Sequence, residues 1–381
     1  MKKGFTLIEL LAVIVILAII ALIATPIVLE IINDAKKSAT LRSAEFYLQG
    51  VEQSIATAIL KNKIAKDGVF NIKNGDICLN TDCTNKLEVD VDGNTPEKGT
   101  IAITNGIISG VNITLEEKEI QRNSKGELVY VKTLEEVCKL KSGTAKTKGS
   151  KYECKVDPNE KPYTFYVLNI RNAEWEIITE SSTDKKAVSI NLIMAQNINS
   201  DGTPTTEAIR EEQKEDKDGK YNIVSWVSSD DYNDDINYGE NGNNDKGPIT
   251  AMNFLQEATK NWTNANIMII NSFDSDDSTS ALRNMKIYNT YARMPYYKEI
   301  NDVSKYHIWL IDYLSGKEDE ELKIEGRENR IDGIYGYWTL SASANVSSKA
   351  WRVNYHGNPD TISEVFRNSS NGVRPVINLK I

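Results

Sequence analysis

A run of twenty residues without a charge, from Leu10 to Leu29, places the strongest constraint on how this chain can fold. As an α-helix the run would be about 30 Å long, which matches the hydrocarbon core of a bilayer. A cleaved secretory signal has a shorter apolar core that ends in small residues, whereas here the apolar pattern continues through Ile31 and Ile32. The run therefore predicts a retained transmembrane helix at about residues 10–32.

The residues that flank this run indicate its orientation. Lys2 and Lys3 precede it, and the first cationic residues after it are Lys36 and Lys37. The charge bias is modest, so the shortness of the leader decides the orientation. We expect the N-terminus in the cytoplasm and the later domains on the outer side of the membrane.

An acidic residue, Glu9, occupies an unusual position just before the run. Glu9 lies at the edge of the apolar segment, where a carboxylate is costly in lipid and usually marks function. The string KKGFTLIEL, residues 2–10, joins the run directly and resembles the processing and assembly signal of type IV pilins and pseudopilins. The alternative is a plain anchor whose Glu9 snorkels to the membrane interface, but the full string favours the pilin-like interpretation.

This resemblance assigns roles to four residues. It implies that a prepilin peptidase cuts between Gly4 and Phe5 and that the new amine of Phe5 is methylated. It also implies that Glu9 pairs with the amine of a neighbouring subunit when helices pack into a filament. Pro26 lies late in the span, as in the family, and a proline removes one helix hydrogen bond and bends the helix locally. The implied partners are the peptidase, the membrane and other pilin subunits.

Apolar residues beyond the span recur at steps of three and four, which predicts that the helix continues. They are Leu41, Ala44, Leu48, Val51, Ile55 and Ala58. We expect a leader at residues 1–4 and a helix over residues 5–66. Short β-rich pieces between turn residues then predict a small antiparallel sheet, within a pilin-like head over residues 67–156.

All four cysteines, Cys78, Cys83, Cys138 and Cys154, fall in this region on the expected outer side of the membrane, where disulfides are the default. Four cysteines allow three connectivities. The pairing Cys78–Cys83 with Cys138–Cys154 closes two local loops and is preferred. A zinc site is the alternative, but the spacings lack the paired short knuckles that zinc sites show.

The second half of the chain differs in composition and predicts a separate domain over residues 157–381. All six tryptophans follow its first expected strand, which begins at Tyr163; they are Trp175, Trp226, Trp262, Trp309, Trp338 and Trp351. A span of this length can bury its own core without disulfides.

Four strings in this half carry a second resemblance. They are ARMPYYKEI at 292–300, GYWTL at 336–340, AWRV at 350–353 and GVRPVINL at 372–379. Their order resembles a C-type-lectin-like domain related to the formylglycine-generating and sulfatase-modifying group. The resemblance implies a larger α+β domain in which these residues build core strands and one helix. It does not by itself imply sugar binding.

The sequence shows no constellation of catalytic residues. Enzymatic members of that group need cysteines in the corresponding domain, and no cysteine follows Cys154. His307 and His356 lie neither in an H-E-x-x-H string nor near a G-x-S-x-G turn, and no Walker loop is present. We expect a protein that is not an enzyme, with no catalytic and no cofactor-binding residues.

Two acidic stretches have some features of calcium loops but lack others. After residues 90–93, Gly99 stands where the bidentate acid is needed, so a turn is favoured. After residues 231–235, Ile236 replaces the turn glycine and Gly242 the closing acid, so a solvated loop is favoured. We expect no metal site.

Most of the net charge of −9 lies in one stretch, and this acidic balance argues against a nucleic-acid-binding protein. Residues 207–245 carry twelve acids against four basic residues, and they predict a long acidic surface loop. Nucleic-acid binding draws on clustered cations. The best candidate cluster consists of Lys139, Lys141, Lys146, Lys148, Lys151 and Lys155, and a solvated lysine-rich loop is favoured there instead.

Together these features predict an α+β chain: a long membrane and filament helix packed on a small antiparallel sheet, followed by a larger lectin-like domain. The predicted function is that of a minor or tip subunit of a type IV pilus-like filament, which displays a domain that binds a surface glycan or protein. The alternatives are a pseudopilin of a type II-like secretion or DNA-uptake machine and an enzyme displayed on a pilin stalk. The expected location is the bacterial membrane before assembly and then a cell-surface filament.

Overall fold

The computed structural model describes residues 7–172, 177–178, 186–205, 224–228, 247–275, 283–301, 336–343, 349–353, 359–364 and 371–381. The helices in these ranges are α1 (Leu7–Leu60), α2 (Leu134–Val137), α3 (Ile249–Ala258) and α4 (Tyr297–Asn301). The chain divides into two compact units. The first unit comprises Met1–Ala65, Phe70–Thr100 and Ile113–Ile120, and the second comprises Lys66–Val69, Ile101–Asn112 and Gln121–Ile381.

Seven strands form the first sheet, in the order β3-β2-β1-β4-β5-β6-β7. They are β1 (Gly68–Lys73), β2 (Asp76–Cys78), β3 (Lys86–Leu87), β4 (Lys98–Thr104), β5 (Ile107–Leu115), β6 (Lys118–Arg122) and β7 (Leu128–Tyr130). The two-residue turns Asn74-Gly75 and Asn105-Gly106 have positive φ at both positions. This is the turn that matches the twist of a tight hairpin, and Asn-Gly adopts it readily.

Two further sheets have five strands each. The second sheet contains β8 (Cys138–Ser142), β9 (Lys151–Cys154), β10 (Tyr163–Asn172), β11 (Ala187–Met194) and β17 (Val376–Lys380), and all its pairs are antiparallel. The third contains β12 (Met268–Ser275), β13 (Arg283–Thr290), β14 (Tyr337–Ala342), β15 (Lys349–Val353) and β16 (Pro359–Glu364), with only β12 and β14 parallel. The α+β prediction with a long apolar N-terminal helix is confirmed.

Helix α1 ends six residues earlier than residue 66, where the sequence pattern placed its end. Asn62 adopts the left-handed conformation, with φ of 53°. Its N–H donates to the Ile59 carbonyl at 3.0 Å, and the Lys63 N–H donates to the Ala58 carbonyl at 2.8 Å. These two bonds form a Schellman motif, which satisfies the last helix carbonyls and stops the helix at Leu60.

The division of the chain also differs from the expected boundary between residues 156 and 157. Strands β8 and β9 pair with each other and then with β10, so they belong to the second sheet. Val137, Tyr152 and Cys154 lie in the same apolar core as Trp226. The second core therefore includes residues from about 134 onward, because strand pairing rather than composition decides which strands share a core.

Three tryptophans fill the centre of the second unit. Trp226, Trp262 and Trp338 have no exposed surface. The Nε1 groups of Trp226 and Trp338 donate to the carbonyls of Thr339 and Val224, at 2.8 and 2.7 Å. Burying these large rings supplies much of the apolar area that stabilises the unit.

Two glycines with nearly the same φ provide a test of packing against this core. Gly202 and Gly126 have φ of +87° and +85°, but an added Cβ would lie 2.4 Å from the Ala258 carbonyl oxygen at Gly202 and would meet nothing within 4 Å at Gly126. We predict that Gly126→Ala costs about 1 kcal/mol from the backbone conformation alone. Gly202→Ala should cost roughly 2 kcal/mol more, because the backbone of α3 must shift.

The measurement is urea unfolding of the detergent-solubilised chain, followed by tryptophan fluorescence. Equal midpoints for the two variants would contradict the close approach of Gly202 to the end of α3.

Candidate assembly helix and ligand-binding domain

The first half of α1 has an apolar surface that nothing in the described chain covers. Every large apolar side chain from Leu7 to Ile32 that the structure describes is more than one third exposed. An 18-residue window in this helix has a mean hydropathy of 3.1, and none of it is buried. It is the one helix of the described residues that is long and apolar enough to cross a membrane. Lipid or other helices must cover such a surface.

The predicted processing residues Gly4 and Phe5 lie outside the described residues, and Glu9 lies in the first turn of α1. The helix continues through Pro26, which lacks the N–H that would bond to the Leu22 carbonyl. One residue earlier, the Thr25 hydroxyl donates to the Ala21 carbonyl at 2.6 Å. Such a side-chain bond competes with the backbone hydrogen bonds of the helix, so Thr25 and Pro26 together weaken the helix locally. Only the effect of the proline was predicted from the sequence.

The second half of α1 packs in the first unit on the face that periodicity predicted. Ala44, Leu48, Val51, Ile55 and Ala58 are buried, and Leu41 is half-buried. Tyr47, which the pattern missed, is also buried and donates its hydroxyl to the Gly75 carbonyl at 2.9 Å. Burial, and then the charge of Asp76, raise the pKa of Tyr47 above its ordinary value. The Tyr47 hydroxyl therefore remains a donor and ties the helix to the turn between β1 and β2.

The structure contains the two disulfides that the sequence favoured, Cys78–Cys83 and Cys138–Cys154. The second joins directly opposed residues of β8 and β9. No cysteine is free, so the zinc alternative is wrong. Among the described ranges, no three His, Cys, Asp or Glu residues are grouped so that they could hold a metal ion.

Four strings that are far apart in the sequence meet in the second unit; they are residues 292–300, 336–340, 350–353 and 372–379. Arg293 and Val376 exchange two backbone hydrogen bonds of 3.0 and 2.7 Å, and the Trp338 N–H donates to the Gly372 carbonyl at 3.1 Å. Strand β14, from the second string, pairs with β15, from the third. The strings therefore build one continuous piece of core, as the sequence analysis expected of their apolar and aromatic residues.

The first of these strings contains a buried carboxylate. Glu299 of α4 is 2% exposed, and Arg293 donates to both of its oxygens at 2.7 Å. Arg171 of β10 adds a bond of 3.1 Å. Burial by itself would raise the pKa of Glu299, but the Arg293 charge, the hydrogen bonds from Arg293 and Tyr296, and the Arg171 charge outweigh it and lower the pKa to about 2. The carboxylate is therefore ionised at neutral pH.

Three asparagines connect this carboxylate to the second sheet. Asn378 donates to Asn191 at 2.8 Å, Asn191 donates to Asn169 at 2.8 Å, and Asn169 donates to Glu299 at 3.0 Å. The three residues are direct neighbours on β17, β11 and β10. We call them the asparagine ladder. The ladder was not predicted from the sequence, where its signal is an asparagine within each of three mostly apolar strands.

The lysine cluster that was the best nucleic-acid candidate lies on and around an edge of the second sheet. Lys141 is paired with Glu153, and Lys146 with Glu135. Strand β8 forms the edge, and its last four residues are exposed. Lysines on an edge strand prevent edge-to-edge pairing with other chains, which accounts for their position.

Outside the described residues lie most of the acidic stretch 207–245, which includes residues 231–235, and both histidines, His307 and His356.

Comparison with known families identifies one segment of the chain. Residues 1–25 match the Prokaryotic N-terminal methylation motif. No curated protein and no solved structure matches the chain. The motif supports a type IV pilin-like or pseudopilin subunit, which implies processing by prepilin peptidase and assembly with other pilins. Together with α1 it fits membrane anchoring followed by a surface filament.

Replacing the buried carboxylate tests how far the second unit depends on it. Glu299→Gln leaves two guanidinium groups without their anion, so we predict a loss of roughly 3 to 5 kcal/mol in the free energy of unfolding. The control is Glu257→Gln, because the Glu257–Lys260 pair is well exposed and its loss should change stability by less than about 1 kcal/mol. Urea unfolding followed by tryptophan fluorescence measures both, and similar effects would contradict the role of Glu299.

The same network predicts a pH dependence. The pKa of Glu299 lies below its ordinary value of 4.5, at about 2. Its contribution is therefore complete above about pH 4.5 and is lost as the pH falls toward 2, by about 3 kcal/mol in total. Unfolding free energies of the wild type minus those of Glu299→Gln, measured from pH 5 to pH 2.5, should decrease. A constant difference would show that the pKa of Glu299 is not lowered in the folded chain, and a difference that increases as the pH falls would show that the buried group is protonated.

Proposed function

We propose that this protein is a minor or tip subunit of a type IV pilus-like filament, and that it displays a ligand-binding domain at the cell surface. One observation carries the proposal: an uncovered apolar helix, whose first part lies within a methylation motif, continues into a chain whose second unit has its own core. A domain of this bulk on every subunit would crowd a thin filament. A position at low copy number or at the tip avoids that crowding.

The proposed assembly step is a transfer of α1 from lipid to a helix bundle. The peptidase cuts between Gly4 and Phe5, and the methylated amine of Phe5 becomes the first charged group of the mature chain. Glu9 of a neighbouring subunit then pairs with that amine. Two opposite charges attract far more strongly in an apolar filament core than in water, so the pairing favours one axial register between helices.

For the second unit we propose a C-type-lectin-like fold that binds a ligand without catalysis. The proposal is supported by the meeting of the four strings in one core and by the buried tryptophans. Binding is favoured over catalysis because no cysteine follows Cys154 in the sequence. The related enzymes need cysteines in this domain for their oxidative chemistry.

The first measurement is mass spectrometry of the mature N-terminus, in filaments sheared from cells and in the membranes that remain. We predict a chain that begins at methylated Phe5 in the sheared fraction. The same terminus in membranes alone would favour a short pseudopilus of a secretion or DNA-uptake machine. An intact Met1 in both fractions would exclude processing and leave a plain membrane anchor.

Charge pairing in the filament is tested by Glu9→Ala, with Glu30→Ala on the same helix as the matched control. We predict that Glu9→Ala removes most of the protein from sheared filaments while its level in membranes stays unchanged, because the buried residues of α1 begin only at Thr40. Glu30→Ala should assemble normally. Quantitative immunoblots of both fractions provide the comparison, and normal assembly of Glu9→Ala would refute the pairing.

A further inference from the structure

The second unit contains a cavity of about 380 Å³ that the functions described above do not use. It lies where the start of β5 and the turn after β6 meet the end of α3 and the end of β13. Ile108 and Ile267 supply its apolar lining, and seven lining residues carry neutral hydrogen-bonding side chains. Small-molecule sites in proteins have volumes of this order and a few placed polar groups.

The charge of the cavity is opposite in sign to that of the chain. Its lining contains Arg122 and Lys260 and no Asp or Glu, although the net charge of the whole chain is −9. Arg122 Nη1 donates to the Ile108 carbonyl at 2.9 Å, which holds the guanidinium at the cavity wall. Lys260 pairs with Glu257 on the exposed surface of α3, and an exposed pair of this kind exchanges partners at little cost. The cavity therefore suits a single negative group.

The neutral groups of the cavity suit a ligand that is rich in hydroxyls. Ser124 Oγ and the Tyr291 hydroxyl lie 3.1 Å apart, and Gln256 donates to the Asn289 carbonyl at 2.9 Å. The side-chain Oδ1 of Asn289 is buried and has no hydrogen-bond partner among the described residues. A buried oxygen without a donor is unfavourable, and a ligand hydroxyl would supply that donor after a small rotation of the amide.

The backbone opposite Asn289 is adapted to this side chain. A Cβ added to Gly110 of β5 would lie 2.0 Å from Asn289 Oδ1. Only glycine at this strand position leaves room for the amide. The asparagine therefore lies in a space that a side chain on β5 would otherwise fill.

We propose that this cavity binds an acidic sugar unit of the hexuronic acid class. Arg122 and Lys260 contact its carboxylate, while Asn289, Ser124 and Tyr291 contact its hydroxyls. The inference rests on the proposed ligand-binding role of the second unit and names the ligand class and the site for it. Charge-assisted bonds from a guanidinium to a carboxylate are the strongest of these contacts, and the amide and hydroxyl groups distinguish a sugar from a simple anion.

The test is saturation-transfer NMR on the full chain in detergent micelles, with D-glucuronate, D-glucose and acetate as probes. We expect glucuronate to bind about tenfold more tightly than glucose or acetate. Arg122→Gln removes the guanidinium, and Asn289→Asp keeps the side-chain size over Gly110 but adds a negative charge. Each should weaken glucuronate binding about tenfold. Lys139→Gln, which removes one positive charge from the exposed strand β8, should leave it unchanged.

Each outcome decides the proposal, provided that the urea midpoints show folded variants. Glucuronate binding that is absent, or that is equal in the wild type and both cavity variants, overturns the site. Equal binding of glucose overturns the acidic class, and equal binding of acetate overturns the sugar class. The failure of this proposal can be distinguished from the failure of the filament proposal. If sheared filaments contain methylated Phe5 but the chain does not bind glucuronate, the filament proposal stands and only the cavity proposal is rejected. Conversely, glucuronate binding by a chain with an intact Met1 would retain the cavity and reject the filament.

Discussion

The apolar half of α1 is the constraint on which the rest of the structure depends. From Leu7 to Ile32 its large side chains are left uncovered by the described chain, and at about 25 cal/mol for each Å² of apolar surface such a helix cannot remain in water. Lipid and a bundle of similar helices are the two environments that cover it on all sides. The sequence then changes at residues 34–37, where Asp34, Lys36 and Lys37 mark the end of that environment. Past that point only one face of α1 stays apolar, and other residues of the first unit pack on it.

A second organising interaction holds together segments that are distant in sequence. Glu299 receives bonds from Arg293 on its own segment and from Asn169 and Arg171 on β10. A buried carboxylate is tolerated only where every oxygen is satisfied, so few alternative packings of α4 against the second sheet are acceptable. The asparagine ladder extends that requirement across three strands. Apolar packing alone would tolerate small shifts of α4, whereas this network specifies its position.

Local patterns predicted the parts of this structure that local physics determines. The helical face from Leu41 to Ala58 follows from a 3.6-residue period, and the local pairing of cysteines follows from their short separation. Strand pairing crosses the expected boundary between residues 156 and 157, because β8 and β9 pair with β10. Composition does not encode that choice among strands. The early end of α1 depends on one left-handed residue, Asn62. The asparagine ladder and the cavity were not predicted, because their members come together only through the tertiary fold.

The distribution of charge explains how a chain of net charge −9 could select an acidic ligand. Twelve acids lie within residues 207–245, and a chain with a net negative charge repels polyanions such as nucleic acid at distances within the Debye length, about 8 to 10 Å. Recognition of a small acid cannot then depend on long-range attraction. A broad basic surface would supply such attraction, but to every anion alike. It must come from short contacts in a confined site, where one guanidinium is held by the Ile108 carbonyl and neutral donors and acceptors surround it. Such a site discriminates by shape and hydrogen bonding, and the overall negative charge lowers the background of nonspecific anions.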